Sequence, residues 1–262
     1  MKPKVIIFVL DTEVKNYQCL KKAQLATWVA QAEARGYDVI YYRGGSKTIN
    51  YDSGQRTLNL PCDDFLQNSA LKLFETFKYF NHQISSCTYV FRTNLSSYIN
   101  IERFGEFIDN LAQPLLYGGV IGKTRSSLPL LNQILRSRLL NNITLGETIY
   151  FASGSGFILS SHCVSTLLKS KFELELIDDV AVGKVMNSCG VFPSHIPRID
   201  LYDDYGPCDD MQSLISTSID LLNDKNAYHY RIKGKNKIKD ASLFYLLDSC
   251  EGDLRKILGL ML

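Results

Sequence analysis

Val5-Ile6-Ile7-Phe8-Val9-Leu10 is an unbroken apolar run that Asp11 ends after six residues. A run of that length suits a strand buried on both faces, not a membrane span or a helix. A helical stretch follows from Tyr17 to Arg35, with Leu20, Ala23, Ala26 or Thr27, Trp28 and Ala30 forming one broad face. Gly36 is placed to cap it, and Tyr37–Tyr42 is β-branched and aromatic enough for a second strand. Strand, helix and strand joined by short connections open a mostly parallel sheet, because the crossover must pack back on the sheet it leaves. The expected fold class is therefore α/β, a Rossmann-type, mostly parallel central sheet flanked by helices.

The remaining segments extend that pattern. Residues 43–64 are polar, with Gly44-Gly45 and Pro61, and are expected to form loop or short edge structure. Asn68–Phe80 reads as a helix, Thr88–Arg92 as a buried strand and the residues after Asn100 as a short helix. Leu115–Ile121 suggests a strand and Asn132–Leu140 a helix. Thr148–Ala152 leads through a Ser153-Gly154-Ser155-Gly156 turn to Phe157-Ile158-Leu159, and Ser160 or Ser161 can cap a helix reaching Leu168. Asp178-Asp179 suit the N-terminus of a helix over Val180–Asn187, following the alternating segment Phe172–Ile177. A polar section over Asp200–Asp210 precedes Tyr228–Lys233, and the last twenty residues read as an amphipathic helix. No repeat or linker interrupts the 262 residues, so one domain over 1–262 is expected.

A net charge of +2 argues against general nucleic-acid binding but allows a local basic cluster. Seven cysteines, an odd number with no Cys-x-x-Cys pair, suit a reducing compartment. The opening Met1-Lys2-Pro3-Lys4 and its apolar run lack a small-residue cleavage site, so a core strand is preferred to a signal sequence. No segment has the length and apolarity of a transmembrane helix, and a cytoplasmic location is the expectation.

Ligands of open sheets bind beyond the carboxyl ends of strands. The strand ending in Arg92-Thr93-Asn94-Leu95-Ser96-Ser97 thus reads as the floor of a site, polar yet without a carboxylate. For Asp178 and Asp179 two readings stand: two acids at a helix start, or one cap and one cleft carboxylate able to take a hydroxyl proton. Ser153–Gly156 lets backbone approach a ligand, although the spacing is not that of a dinucleotide or Walker loop. His229, Arg231 and Lys233 alternate and can share one face of an extended chain, where they either neutralise a phosphate or form a solvated edge. His82, His162 and His195 have no zinc-site spacing, and no Gly-x-Ser-x-Gly elbow is present.

In order and spacing these segments resemble the GT-A fold nucleotide-sugar glycosyltransferases, nearest the β-1,3-galactosyltransferase and Fringe-like group. The residues carrying the resemblance are Lys21-Lys22 with Thr27-Trp28, Asp64 to Asn68 with Lys72, and Arg92 to Asn100. Ser153 to Ser160 and Asp178-Asp179-Val180-Ala181-Val182-Gly183 complete it. The resemblance implies a nucleotide-sugar donor, an oligosaccharide or glycan acceptor, and inverting transfer with Asp179 as base and Asp178 positioning it or binding acceptor. It places the donor at Val9, Leu10, Asp11, Thr12, Lys22, Asp63, Asp64, Arg92, Thr93, Asn94, Ser96, His229, Arg231 and Lys233. Acceptor contacts fall at Gly154, Ser155, Gly156 and Asp178. The family's Asp-x-Asp metal acids correspond here to Asn94 and Ser96 around Leu95, and neutral oxygens hold Mg²⁺ or Mn²⁺ poorly. Three accounts follow: metal-independent transfer with His229, Arg231 and Lys233 on the diphosphate, weak metal binding through nucleotide and His229, or loss of catalysis leaving a sugar- or nucleotide-binding protein. The first is preferred, so no cofactor is expected to be essential. A sugar nucleotidylyltransferase is the alternative from another enzyme class.

Overall fold

A computed structural model describes residues 3–111, 117–125, 147–202 and 227–250. The first apolar run is β1, Val5–Leu10, and it lies inside an eight-stranded sheet. Its other strands are β2, Asp38–Arg43; β3, Asn50–Asp52; β4, Thr57–Asn59; β5, Tyr89–Asn94; β7, Tyr117–Arg125; β8, Thr148–Ser160; and β9, Ser194–His195. The order is β3-β4-β2-β1-β5-β8-β7-β9, with β3 and β8 antiparallel to the other strands. A second sheet of β6, Ser97–Ile99, β10, Ile199–Tyr202, and β11, His229–Lys233, runs in the order β10-β11-β6.

The α/β expectation holds, and β1 explains its own sequence. Val5, Ile7 and Val9 enter one core with Leu20, Trp28, Phe91, Phe104 and Tyr228, whereas Ile6 and Phe8 enter another with Leu73, Phe77, Leu159 and Met186. Burial on both faces leaves no place for polar residues, and each enclosed side chain of this size contributes about 1.5–3 kcal/mol.

The stretch expected to be one helix over 17–35 is two: α1, Gln18–Ala26, and α2, Trp28–Ala34. Thr27 separates them with non-helical angles, φ −118° and ψ −111°, while its hydroxyl donates back to the Ala23 carbonyl at 2.7 Å. The break turns Trp28 fully into the core. Gly36 ends α2 at φ +87°, a left-handed conformation that favours glycine. Helices α3, Ser69–Tyr79, and α4, Asn81–Ser85, precede β5, and α5, Ile101–Asp109, follows β6. Asn100 caps α5 and Ser160 caps α6, Ser161–Lys169, each accepting a backbone N–H from three residues on.

Several expectations change in detail. The 43–64 region does supply short edge structure, as β3 and β4, whereas β7 runs past Ile121 to Arg125. Phe172–Ile177, despite its alternation, joins no strand. Ser153–Gly156 is not a turn between two strands. It is a bulge inside β8: Ile121 pairs with Ala152 and Gly119 with Phe157, so Val120 alone faces four residues. The expected helix over 132–140, most of the polar 200–210 section and the chain beyond Cys250 lie outside the described residues. Helix α8, Lys237–Ser249, accounts for the described part of the last segment.

Helix α7, Asp178–Ser188, packs along β8, and Gly183 makes that approach possible. A Cβ there would stand 2.6 Å from the Phe151 Cβ and 2.7 Å from the Tyr150 carbonyl oxygen. Gly183→Ala therefore has to push the helix off the strand, because backbone cannot step aside as a flexible side chain can. The expected cost is about 1–3 kcal/mol, read as a lower midpoint in urea unfolding. An unchanged midpoint would mean that the contact relaxes freely.

Candidate active site

The chain moves from β1 to β2 on one side and later to β5 on the other, so the carboxyl ends of β1 and β5 meet at a topological switch point. In open sheets that is where a crevice forms. Four groups of residues converge there.

The first surrounds the end of β1. Val9 is fully enclosed and Leu10 half-buried. Asp11, 1% exposed, is paired with Lys21 at 2.7 Å, and Lys21 also donates to the Thr57 hydroxyl at 2.8 Å and lies 4.4 Å from the Tyr41 ring centre. Lys22, the neighbour singled out as a donor residue, is exposed, as is Asp63. Asp64 instead faces inward and ties three elements together. It accepts from the Thr12 hydroxyl at 2.6 Å, Glu13 N–H at 2.9 Å, Gly44 N–H at 3.1 Å and Lys72 Nζ at 3.0 Å. Burial alone would raise its pKa, but the Thr12, Glu13 and Lys72 contacts outweigh it and hold the carboxyl below its ordinary value.

The second group is the floor read from sequence. Asn94 Oδ1 accepts from Ser96 N–H at 3.1 Å and the Ser96 hydroxyl at 2.8 Å, folding the turn on itself. Beneath it, the buried Gln24 shares its amide hydrogens among the carbonyls of Asn94, Leu95 and Ser97 at 3.1, 3.2 and 2.9 Å. Thr93 and Ser97 both donate to the Ser155 carbonyl, at 2.8 and 3.1 Å, clamping the floor to the β8 bulge. These residues do not suit a carboxylate-held divalent cation. Asn94 Oδ1 is engaged by the Ser96 N–H and hydroxyl, and the oxygens here are neutral ones that hold a divalent cation poorly.

The third group joins the β8 bulge to α7. Asp179 Oδ2 accepts from Gly154 N–H at 2.7 Å and Oδ1 from Val180 N–H at 2.9 Å, which leaves each oxygen a further lone pair. Asp178, 3% exposed, forms an ion pair with Arg92 at 2.5 Å, and its N–H donates to the Ser69 hydroxyl at 3.1 Å. Arg92 also donates to the Tyr42 hydroxyl at 3.1 Å. Burial, then the charge of Asp178, raises the Asp179 pKa above 3.8, and the Gly154 N–H, Arg92 and the Val180 N–H only partly offset them.

The fourth group is β11, where His229, Arg231 and Lys233 occupy alternate positions and diverge in exposure. His229 is 3% exposed, bonded through Nε2 to the Ser97 hydroxyl at 2.9 Å. Its ring fills the space above Gly156, where a Cβ would come within 2.1 Å of it. Burial first, then Arg198 and Arg231, push its pKa well below the usual value, so the ring is neutral. Arg231 is half-buried and Lys233 exposed. Arg198 adds a cation beside them, gripping Asp200 through two nitrogens at 2.5 and 2.9 Å and donating to the Ser153 hydroxyl at 3.1 Å.

Sequence reasoning passes over Gln24, Tyr42 and Arg198. Gln24 alone left a signal, a polar residue one turn after Leu20 on the apolar face of its helix. His82, His162 and His195 are exposed and take no part.

The chain thus has an α/β fold with polar side chains gathered at the switch point of its sheet and two acids at a helix start beside them. Residues 58–197 match the galactosyltransferase family model, and the chain belongs to that family, which assigns it to glycosyl transfer. The matched span includes β5, the β8 bulge and the start of α7. No curated protein sequence matches the chain. Among solved structures it is similar to a glycosyltransferase involved in the glycosylation of the major capsid of PBCV-1, at 10% identity and TM-score 0.49, covering 93% of this chain and 100% of that one. It is also similar to the inositol-1-phosphate CTP transferase from T. maritima, at 8% identity and TM-score 0.41, covering 74% and 84%. Among the described residues no helix is long and apolar enough to cross a membrane.

Proposed function

We propose that this protein transfers a sugar from a nucleoside-diphosphate sugar to a hydroxyl of a glycan acceptor, with inversion and without an essential divalent metal. The observation that carries this reading is a difference among four acids. Among the described residues Asp11, Asp64 and Asp178 are each paired with a buried cation, whereas Asp179 holds backbone N–H groups and makes no ion pair. A carboxylate so placed, with its proton affinity raised, suits a general base.

Asp179 takes the acceptor hydroxyl proton as that oxygen attacks the anomeric carbon. The bond from carbon to the diphosphate oxygen breaks on the opposite face, and its electron pair leaves with the nucleoside diphosphate. One displacement inverts the centre. The Gly154–Gly156 backbone and Asp178 border the acceptor side, while Arg92, Thr93, Asn94 and Ser96 floor the donor side. Arg231 and Lys233 supply positive charge for the diphosphate. His229, neutral and enclosed, holds Ser97 in place instead of adding charge.

The test is a screen of nucleotide sugars for transfer and hydrolysis in the presence of EDTA. Release of nucleoside diphosphate at an undiminished rate is expected. Activity that vanishes in EDTA and returns with Mn²⁺ or Mg²⁺ would defeat the metal-free reaction. Release of pyrophosphate would assign nucleotidyl transfer, and binding without turnover would leave a binding protein.

A further inference from the structure

Arg92 is a fully charged side chain, 2% exposed, whose nitrogens point in three directions. Nε donates to the Tyr42 hydroxyl, and Nη2 meets Asp178 Oδ2. Among the described residues Nη1 has no hydrogen-bond partner. It lies 3.4 Å from where a Cβ on Gly154 would stand, a point that is 3.0 Å from Asp179 Oδ2. Gly154 therefore leaves open the gap between this guanidinium and the Asp179 carboxylate.

We propose that Arg92 is a positioning residue for the base. It anchors Asp178 to the sheet through Tyr42 and turns its third nitrogen, across the gap at Gly154, toward the Asp179 carboxylate. This rests on Asp179 acting as the base.

A purely structural ion pair would need only Arg92 and Asp178. Here, among the described residues, Arg92 is the cation beside both acids, so the neighbours of Asp179 act with opposite sign. The other groups around it are uncharged or committed. Tyr42 on β2 and Tyr117 on β7 stay neutral because burial pushes their hydroxyls up. From β8 comes the Gly154 N–H. Helix α3 adds the neutral Ser69 hydroxyl, and its Lys72 is paired with Asp64.

The sign follows directly. Catalysis needs Asp179 ionised, so the rate falls on the acid side as pH drops through its pKa. Removing the Arg92 charge makes ionisation harder and moves that limb to higher pH. Removing the Asp178 charge makes it easier and moves the limb to lower pH. An opposite charge within about 4–6 Å of a carboxylate is worth about 1–3 pH units.

The experiment is the pH profile of kcat for nucleotide-sugar transfer in wild type, Arg92→Gln, Arg92→Lys and Asp178→Asn, with unfolding followed in parallel. The expected result is an upward shift of the acid limb in Arg92→Gln by about one pH unit or more, a downward shift in Asp178→Asn, and a limb near wild type in Arg92→Lys. If Arg92→Gln does not fold, Arg92→Met, which keeps an unbranched apolar stem, supplies the lost-charge limb to set against the retained charge of Arg92→Lys. Coincident limbs in all variants, or a shift of the same sign in Arg92→Gln and Asp178→Asn, would overturn the proposal. Asp179→Asn separates the two claims. Full activity there removes the base itself, whereas an inactive Asp179→Asn with fixed limbs in the others removes only the role of Arg92.

Discussion

Asp179→Asn is expected to lower kcat by about 10²–10⁴-fold, the usual worth of a positioned base. The amide oxygen can replace one carboxylate oxygen, accepting from either Gly154 or Val180. The amide nitrogen then points a donor at the other N–H, and that lost hydrogen bond costs about 1–3 kcal/mol. Relief of repulsion between Asp179 and Asp178 works in the opposite direction, so the variant should still fold. The measurement pairs steady-state transfer with thermal unfolding, and with donor binding followed separately from turnover. A folded variant that binds donor but scarcely turns over is the expected outcome. Near wild-type kcat in a folded Asp179→Asn would take the base role away from this residue.

Lys21→Met is expected to destabilise the protein by about 3–5 kcal/mol, the range for removing one partner of a buried ion pair. Asp11 would lose its partner cation inside the fold, with its carboxylate fully enclosed near Thr57 and Tyr41. Lys22→Met is the control. Lys22 is exposed, and its substitution should change stability by less than about 0.5 kcal/mol. Urea midpoints for both variants decide the matter. Equal midpoints would mean that the Asp11–Lys21 pair contributes little, and that Asp11 is free to be solvated. The contrast also bears on donor binding, because Lys21 supports the end of β1 from within while Lys22 faces away from that pair.

The apolar run of β1, the glycine stop at Gly36, the helix start after Asn100 and the serine cap at Ser160 or Ser161 are legible because each depends on short-range physics. A strand buried on both faces has to be continuously apolar, a left-handed turn favours glycine, and a helix start wants a side-chain acceptor. Asp178 and Asp179 were likewise legible as acids at a helix start. The break at Thr27 was not, since the apolar periodicity runs through it and only the seat of Trp28 in the core requires it. The bulge at Ser153–Gly156 was read as a turn because glycine and serine allow both, and the neighbouring β7 decides between them.

Charge shows the division most clearly. An α/β sheet, the lack of carboxylates at Asn94 and Ser96 and the presence of an acid pair can all be read along the chain. Which acid is neutralised was settled by tertiary structure alone, because Lys21, Lys72 and Arg92 reach Asp11, Asp64 and Asp178 from other elements. The same packing enclosed His229 over Gly156 and took away its charge, whereas Arg231 and Lys233 lie farther out on the same strand. Alternation along a strand assigns side chains to a face, but the depth of that face, and with it the cost of carrying charge, belongs to whatever packs against it.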